Sequence, residues 1–484
     1  FSDYVPLTLD EWIQLDKKRR VKISISDYEA VEEMRGQIFE IDERSFFTFG
    51  GATSHDISGG GHYKPDALTK YLEEIRQKTK FKKWFFGHCH DNKNVNAEEI
   101  LLRLSTVFGA EMIPGKTLIF FDEVQECGEL ISQIKYLVQD QRFSYILSGS
   151  LLGTVMKKIR SVPVGFLKPV RMFPLDFEEF AWANGVGENA IQALLRCFER
   201  REPVDAFIHQ RMMSLFELYL VVGGMPAAVN TYLAEKNLRR VADEQLAILE
   251  LYKEDIAKYD KEDKLYLREI FDLIPSELNA KNKRFILKNL NENAKFAKYN
   301  NSFLWLKNAG VALPVHVADE PRPPLLLSKS SNLFKLFLND VGLLCAMYGG
   351  EIQLQILNHE TAINFGAIYE NLAAQELAAH GYDLYFYNNK KFGEVDFLVE
   401  TAGKVLPLEI KSGKDYHRHR AIDNLMQLEG MEMPEGFVFC NGNLTRKDRI
   451  IYAPIYMIMF LQKPKLPDTL IYETDFTDLN NGLK

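Results

Sequence analysis

Apolar and polar positions change rhythm several times along the chain. Between residues 97 and 147, helix-period stretches alternate with short apolar runs: a helix over 97–108, a strand over 117–121, a helix near 129–138 and a strand over 145–147. Strands separated by helices predict a parallel α/β sheet, because parallel neighbours need a crossover connection. Upstream, residues 1–96 are mixed, with a glycine-rich stretch at 50–61 and a helical pattern at 66–78. From 237 to 348 the pattern is mainly helical, broken at Asn300-Asn301 and at Pro321, Pro323 and Pro324. The last part opens with a helix over 365–380 and continues through alternating runs at 384–388, 394–400 and 405–411, which predict α/β with a mixed sheet. There is no internal repeat and no low-complexity tract.

Composition narrows the class. A chain of 484 residues exceeds the ~100–200 of a single domain and excludes a small disulfide-stapled module. No apolar run approaches the ~18–20 residues of a membrane span, so no membrane partner is expected. The net charge of -8 excludes a chain-wide nucleic-acid coat but leaves room for a local basic groove. Five scattered cysteines form no zinc spacing, and no signal peptide is present, so a cytoplasmic setting is expected. A chain opening on Phe1 is also expected to have its true start upstream.

The string Leu118-Ile119-Phe120-Phe121-Asp122-Glu123 is an apolar strand ending in two carboxylates, the form of a Walker B motif. Such a strand can hold Asp122 at its C-terminal edge for the water shell of Mg2+, and Glu123 would polarise the attacking water. An ordinary strand running into an acidic turn is the alternative. Further on, Tyr145-Ile146-Leu147-Ser148-Gly149-Ser150 is a second short strand ending in small polar residues, which makes Ser148 and Ser150 candidates for sensing a γ-phosphate.

Together with Asp122-Glu123-Val124-Gln125-Glu126-Cys127, Pro174-Leu175-Asp176-Phe177-Glu178-Glu179-Phe180 and Val222-Gly223-Gly224-Met225-Pro226, these strings make the chain resemble a prokaryotic family of AAA-type ATPases from about Ala97 onward. The resemblance implies an α/β P-loop NTPase core with a parallel sheet over 97–235, a helical winged-helix-like region over 236–348, and a restriction-endonuclease-like α/β domain over 349–484. It implies ATP and Mg2+ as cofactors. The middle region carries its share of the pattern in Leu304-Trp305-Leu306-Lys307 and Phe334-Lys335-Leu336-Phe337-Leu338-Asn339-Asp340. One departure stands out. The family's Gly-x-x-x-x-Gly-Lys-Ser/Thr loop, which cradles the triphosphate, is missing. Gly115-Lys116-Thr117 has the right last three residues, but Gly109 lies one residue too far back, and the run leads into the Walker B strand rather than into a helix.

Near the start, Gly87-His88-Cys89-His90 follows the apolar Trp84-Phe85-Phe86, a place from which His88 and His90 could reach a metal. Surface histidines are the alternative. With Phe46-Phe47-Thr48-Phe49-Gly50-Gly51-Ala52, this segment resembles the tail of a calcineurin-like metallophosphoesterase. Residues 1–86 do not supply the remaining ligands of a binuclear centre, so 1–96 reads as an incomplete segment joined near 92–97 to an ATPase lacking its first strands.

In the last domain Glu370 falls on a helix, Asp396 in a strand after Gly393-Glu394-Val395, and Glu409-Ile410-Lys411 at the end of the next strand. This arrangement resembles the PD-(D/E)xK nucleases. It implies Mg2+ held by Glu370, Asp396 and Glu409, with Lys411, on the same face as Glu409, stabilising the transition state. A salt-bridge cluster is the alternative. The run Lys411, Lys414, His417, Arg418, His419, Arg420 could track DNA or RNA phosphates or be a solvated helix face. Three functions remain open at this level: an ATPase-like protein that regulates a nuclease-like domain, a Mg2+-dependent nuclease, and a non-catalytic nucleic-acid or protein-binding module. Assembly into a homo-oligomer is a further expectation from AAA relatives.

Overall fold

The computed structural model describes residues 96–464, except for 109–111, 123, 125–126, 150–164, 260–263, 281, 291, 293–295, 359–364, 429 and 432. The chain divides into two compact units, Phe1–Arg171 and Met172–Lys484.

In the first unit, α1 (Ala97–Phe108), β1 (Leu118–Phe121), α2 (Gly128–Gln139) and β2 (Ser144–Leu147) follow one another. β1 and β2 are parallel, with Leu118 opposite Ser144 and Phe121 opposite Leu147. The crossover is α2, whose Ile134 and Leu137 bury with Ile119, Leu101 and Phe143 in a small core. These four elements follow the rhythm of the sequence to within a residue or two.

The second unit joins a helical layer to an eight-stranded mixed sheet. Its helices are α3 (Phe177–Ala183), α4 (Glu188–Arg200), α5 (Ala206–Val222), α6 (Pro226–Glu235), α7 (Leu238–Tyr259), α8 (Lys264–Asn279) and α9 (Phe296–Asn308). There follow β3 (Ala312–Ala318), β4 (Lys329–Leu338), α10 (Val341–Tyr348), α11 (Gly350–Leu357), α12 (Phe365–Ala379), β5 (Tyr385–Asn389), β6 (Gly393–Thr401), β7 (Lys404–Ile410), α13 (Arg420–Met426), β8 (Gly436–Cys440), β9 (Thr445–Lys447) and β10 (Ile450–Pro454). The strand order is β4-β3-β5-β6-β7-β8-β10-β9.

The stretch 334–338, read with the helical region, is strand. Lys329–Leu338 pairs antiparallel with Ala312–Ala318, and that pair joins the sheet through the parallel contact of His316 and Val317 with Tyr385 and Phe386. A short, nearly continuous apolar run has no period to separate a buried strand from a buried helix, and pairing decides.

Helix α12 is the axis of this unit. Every residue from Ala367 to Leu377 is buried, four polar ones included. Each of the four has a partner, as a dry interior requires. Asn371 exchanges hydrogen bonds with the Leu338 backbone, and Gln375 accepts from Val341 N at 2.8 Å and donates to the Tyr219 hydroxyl. Glu376 accepts from Phe177 N at 2.8 Å, and Glu370 meets two lysines.

The two glycine- and proline-marked strings of the sequence also find physical reasons here. Asp176 caps α3 in a reciprocal capping box with Glu179, while Phe177 and Phe180 are fully buried. Gly223 lies at φ +72°, and a Cβ there would stand 2.3 Å from Asp340 Oδ1; one on Gly224 would stand 1.9 Å from the Leu175 carbonyl. Only glycines let the chain pass between the α3 lead-in and the buried Asp340, which accepts from Gly224 N and Leu343 N.

Candidate functional site

Two sets of sequence-marked carboxylates can be placed, one in each unit. In the first, β1 delivers Asp122 and β2 delivers Ser148 to the same C-terminal edge of a parallel pair. Ser148 N donates to the Phe121 carbonyl at 2.8 Å, Val124 N donates to the Ser148 carbonyl at 3.0 Å, and the Ser148 hydroxyl donates to Asp122 Oδ1. Both side chains are half-buried. The edge beyond the carboxyl ends of parallel strands is where open α/β sheets take ligands. Lys116 is exposed in a turn that runs straight into β1, and Thr117 Oγ1 accepts from Ile113 N at 3.0 Å, so this Gly-Lys-Thr is a strand entry. Glu123, Ser150, His88 and His90 lie outside the described residues.

In the second unit the structure brings Glu370, Asp396, Glu409 and Lys411 together. Antiparallel pairing of Phe397 with Leu408 sets Asp396 and Glu409 on neighbouring positions of β6 and β7, and Asp396 Oδ2 accepts from Ile410 N at 2.8 Å. Lys411 follows β7 directly and its Nζ lies 2.6 Å from Glu409 Oε1. Glu370 reaches in from α12.

Four further residues complete the cluster without having been singled out in the sequence: Lys283, Arg284, Lys335 and Glu394. Lys335, on β4, is 1% exposed at its side chain, and its Nζ lies 3.2 Å from Glu370 Oε2, 2.9 Å from Glu394 Oε1 and 3.8 Å from Asp396 Oδ1. Lys283 bonds to Glu370 Oε1, and Arg284 bonds to Glu394 Oε2 at 2.8 Å. Four carboxylates thus face four cations. The sequence signal was a lone lysine inside the apolar run Leu333-Phe334-Lys335-Leu336-Phe337-Leu338, which burial makes costly unless anions await it.

The charges shift one another accordingly. Burial opposes the Lys335 charge, but Glu370, Asp396 and Glu394 outweigh it and raise the ammonium above its ordinary range. Burial likewise opposes ionisation of Glu370, yet Lys335 and Lys283 hold its carboxyl below the usual value. Asp396 moves the other way: burial, then the neighbouring Glu370 and Glu409, push it well up against the pull of the lysines. Glu409 is raised by burial in spite of Lys411, and its Oε2 is buried with no hydrogen-bond partner.

The basic run leaves β7 as a loop and enters α13 at Arg420. Lys414, His417, Arg418 and Arg420 are exposed, whereas His419 turns inward, its Nε2 2.6 Å from the Tyr452 hydroxyl and its Nδ1 3.1 Å from Asp423. Of these, His417 and His419 line a cleft beside β10 together with Lys447 and Arg449. Among the described residues no helix is long and apolar enough to cross a membrane.

Comparison with known families adds three matches. Residues 69–181 match an AAA domain, 213–354 a domain of unknown function (DUF8612), and 365–458 a second domain of unknown function (DUF4143). No curated protein and no solved structure matches the chain. The AAA match covers β1, β2, Asp122 and Ser148, and runs ten residues into the second compact unit, ending within the capped helix α3. This chain therefore carries an AAA domain of ATPase-like, nucleotide-binding type, ahead of two domains of unknown function.

Proposed function

We propose that the protein is an AAA-type ATPase-like protein that binds ATP with Mg2+ at the edge of β1 and β2. The observation that carries this reading is the parallel pair ending in Asp122 and Ser148 inside the stretch that matches an AAA domain. In it, Asp122 holds the Mg2+ water shell, Ser148 orients Asp122 and faces the phosphate, and Glu123 activates water. Magnesium supplies charge neutralisation of the phosphates when bound. Calorimetry with Mg-ATP tests the proposal: binding weakened by Asp122→Asn supports it, and no binding by the full chain overturns it. Hydrolysis is a separate matter, read from Glu123→Gln.

For the rest of the chain the same reading places a winged-helix-like region before a nuclease-like fold. The succession α7, α8, α9 and the β3–β4 hairpin supports the first, although the hairpin is paired into the C-terminal sheet. Glu370, Asp396, Glu409 and Lys411 converging from α12, β6 and β7 support the second. Nucleic acid is the partner that the exposed basic loop and its cleft would take. Binding that falls steeply with salt supports this, and salt-independent binding speaks against it.

A further inference from the structure

The carboxylates of the second unit are the donor set that a nuclease-like centre would offer to a divalent cation. Magnesium asks for oxygen ligands at about 2.0–2.1 Å in octahedral order, with several of its waters kept. Most of the oxygens here are already engaged. Glu370 gives one oxygen to Lys283 and the other to Lys335. Asp396 gives Oδ2 to the Ile410 amide, its Oδ1 stands 3.8 Å from the Lys335 ammonium, an ion pair longer than a hydrogen bond, and Glu409 gives Oε1 to Lys411. Only Glu409 Oε2 is without a partner. Among the described residues, no group of three or more His, Cys, Asp or Glu side chains is arranged to hold a metal ion. The donor set does not fit the ion that the nuclease resemblance implies.

It does fit an ammonium. A lysine has three donors and no acceptor, and Lys335 meets carboxylates of Glu370, Glu394 and Asp396. On its apolar side Nζ lies 5.2 Å from the centre of the Phe386 ring, an environment suited to an unhydrated cation and hostile to a metal that keeps its waters. Lys335 is also the only charged residue in a run of apolar ones on β4, so its backbone position fixes the charge in the interior.

We propose that the Lys335 ammonium is the resident cation of this domain, bridging β4 to α12 and β6 in the place a divalent metal would need. The domain then keeps the shape of a nuclease-like centre as a metal-free, non-cleaving scaffold. This inference is independent of the ATPase reading, which stands or falls on Asp122.

The test is Mn2+ binding by the full chain without nucleotide, with bound ions counted from the loss of the free-Mn2+ paramagnetic resonance signal. Asp396→Asn serves as the subtraction for any ion held elsewhere. The wild type and Asp396→Asn are expected to bind the same number of ions. Lys335→Ala is expected to bind one more, and Lys335→Ala combined with Asp396→Asn to lose it again. Wild type binding one ion more than Asp396→Asn overturns the proposal and returns the domain to a metal-dependent nuclease. So does a folded Lys335→Ala that gains no ion. Should Lys335→Ala fail to fold, the comparison of wild type with Asp396→Asn decides alone.

Discussion

The two carboxylate sites of this chain differ in what has been done with their charge. At the end of β1, Asp122 is half-buried and, among the described residues, accepts from one neutral hydroxyl. Between α12, β6 and β7, four carboxylates are surrounded by four cations within the fold itself. A carboxylate that accepts only a neutral donor keeps its charge on offer to an incoming ion, whereas one whose oxygens are paired has spent it. Acidic residues at strand ends are thus not equivalent evidence of metal chemistry. What separates them is whether lysine or arginine from the same chain has arrived first.

The contrast can be broken at several points. The largest effect is expected at Glu123: if the first site hydrolyses ATP, Glu123→Gln should lower turnover by about 10²–10⁴-fold in a phosphate-release assay, as loss of a general base does. An equal loss in Lys335→Ala would mean the two sites are not separate in function.

Next in size is the stability of the second site. Lys335→Ala leaves Glu370, Glu394 and Asp396 without their shared cation, and breaking a buried pair from one side costs about 3–5 kcal/mol. Urea unfolding should show this. Glu409→Gln is milder: it keeps an oxygen that can accept from the partly exposed Lys411 and replaces the one without a partner, so a smaller loss of about 1 kcal/mol is expected.

A smaller effect, readable by thermal unfolding against pH, sharpens the point within one helix. Glu376, six residues after Glu370 on the same helix, has no lysine partner among the described residues; burial pushes its carboxyl up to about 8, with His380 opposing the rise and Asp176 adding to it. Its protonated form is favoured by folding. That contribution is complete below the ordinary carboxyl value and is lost as pH rises through about 8. Glu376→Gln should therefore flatten the decline in stability between pH 5 and 8. Glu370 has the opposite sign: its lowered value contributes above the ordinary carboxyl range and is lost as pH falls through it.

Much of the architecture was legible because it is local. Amphipathic spacing gives α1 and α2, the apolar tetrad Leu118-Ile119-Phe120-Phe121 gives β1, and alternation gives β6 and β7. The meeting of Asp396 with Glu409 and Lys411 was legible too, since neighbouring strands and a two-residue spacing place them on one face. What escaped was set by distance along the chain. Lys335 lies 35 residues from Glu370, on a strand whose apolar run has no distinctive period, and Lys283 lies 87 residues away. Nothing within either segment announces the partner. The reading of Gly115-Lys116-Thr117 as a turn leading into a strand was legible as well, and the structure places it so.

The ten residues from 172 to 181 belong to the AAA match by sequence and to the second unit by packing. Phe177 lies among Phe216, Tyr219 and Tyr456, its amide bonds to Glu376, and Leu175 exchanges backbone and hydroxyl bonds with Gly224 and Tyr219. A gene fragment ended at 181 would carry this greasy plug into solvent and leave an empty socket in the fragment that starts after it. The natural scissors point is Arg171, and any domain swap made at the family boundary instead should yield two sticky halves.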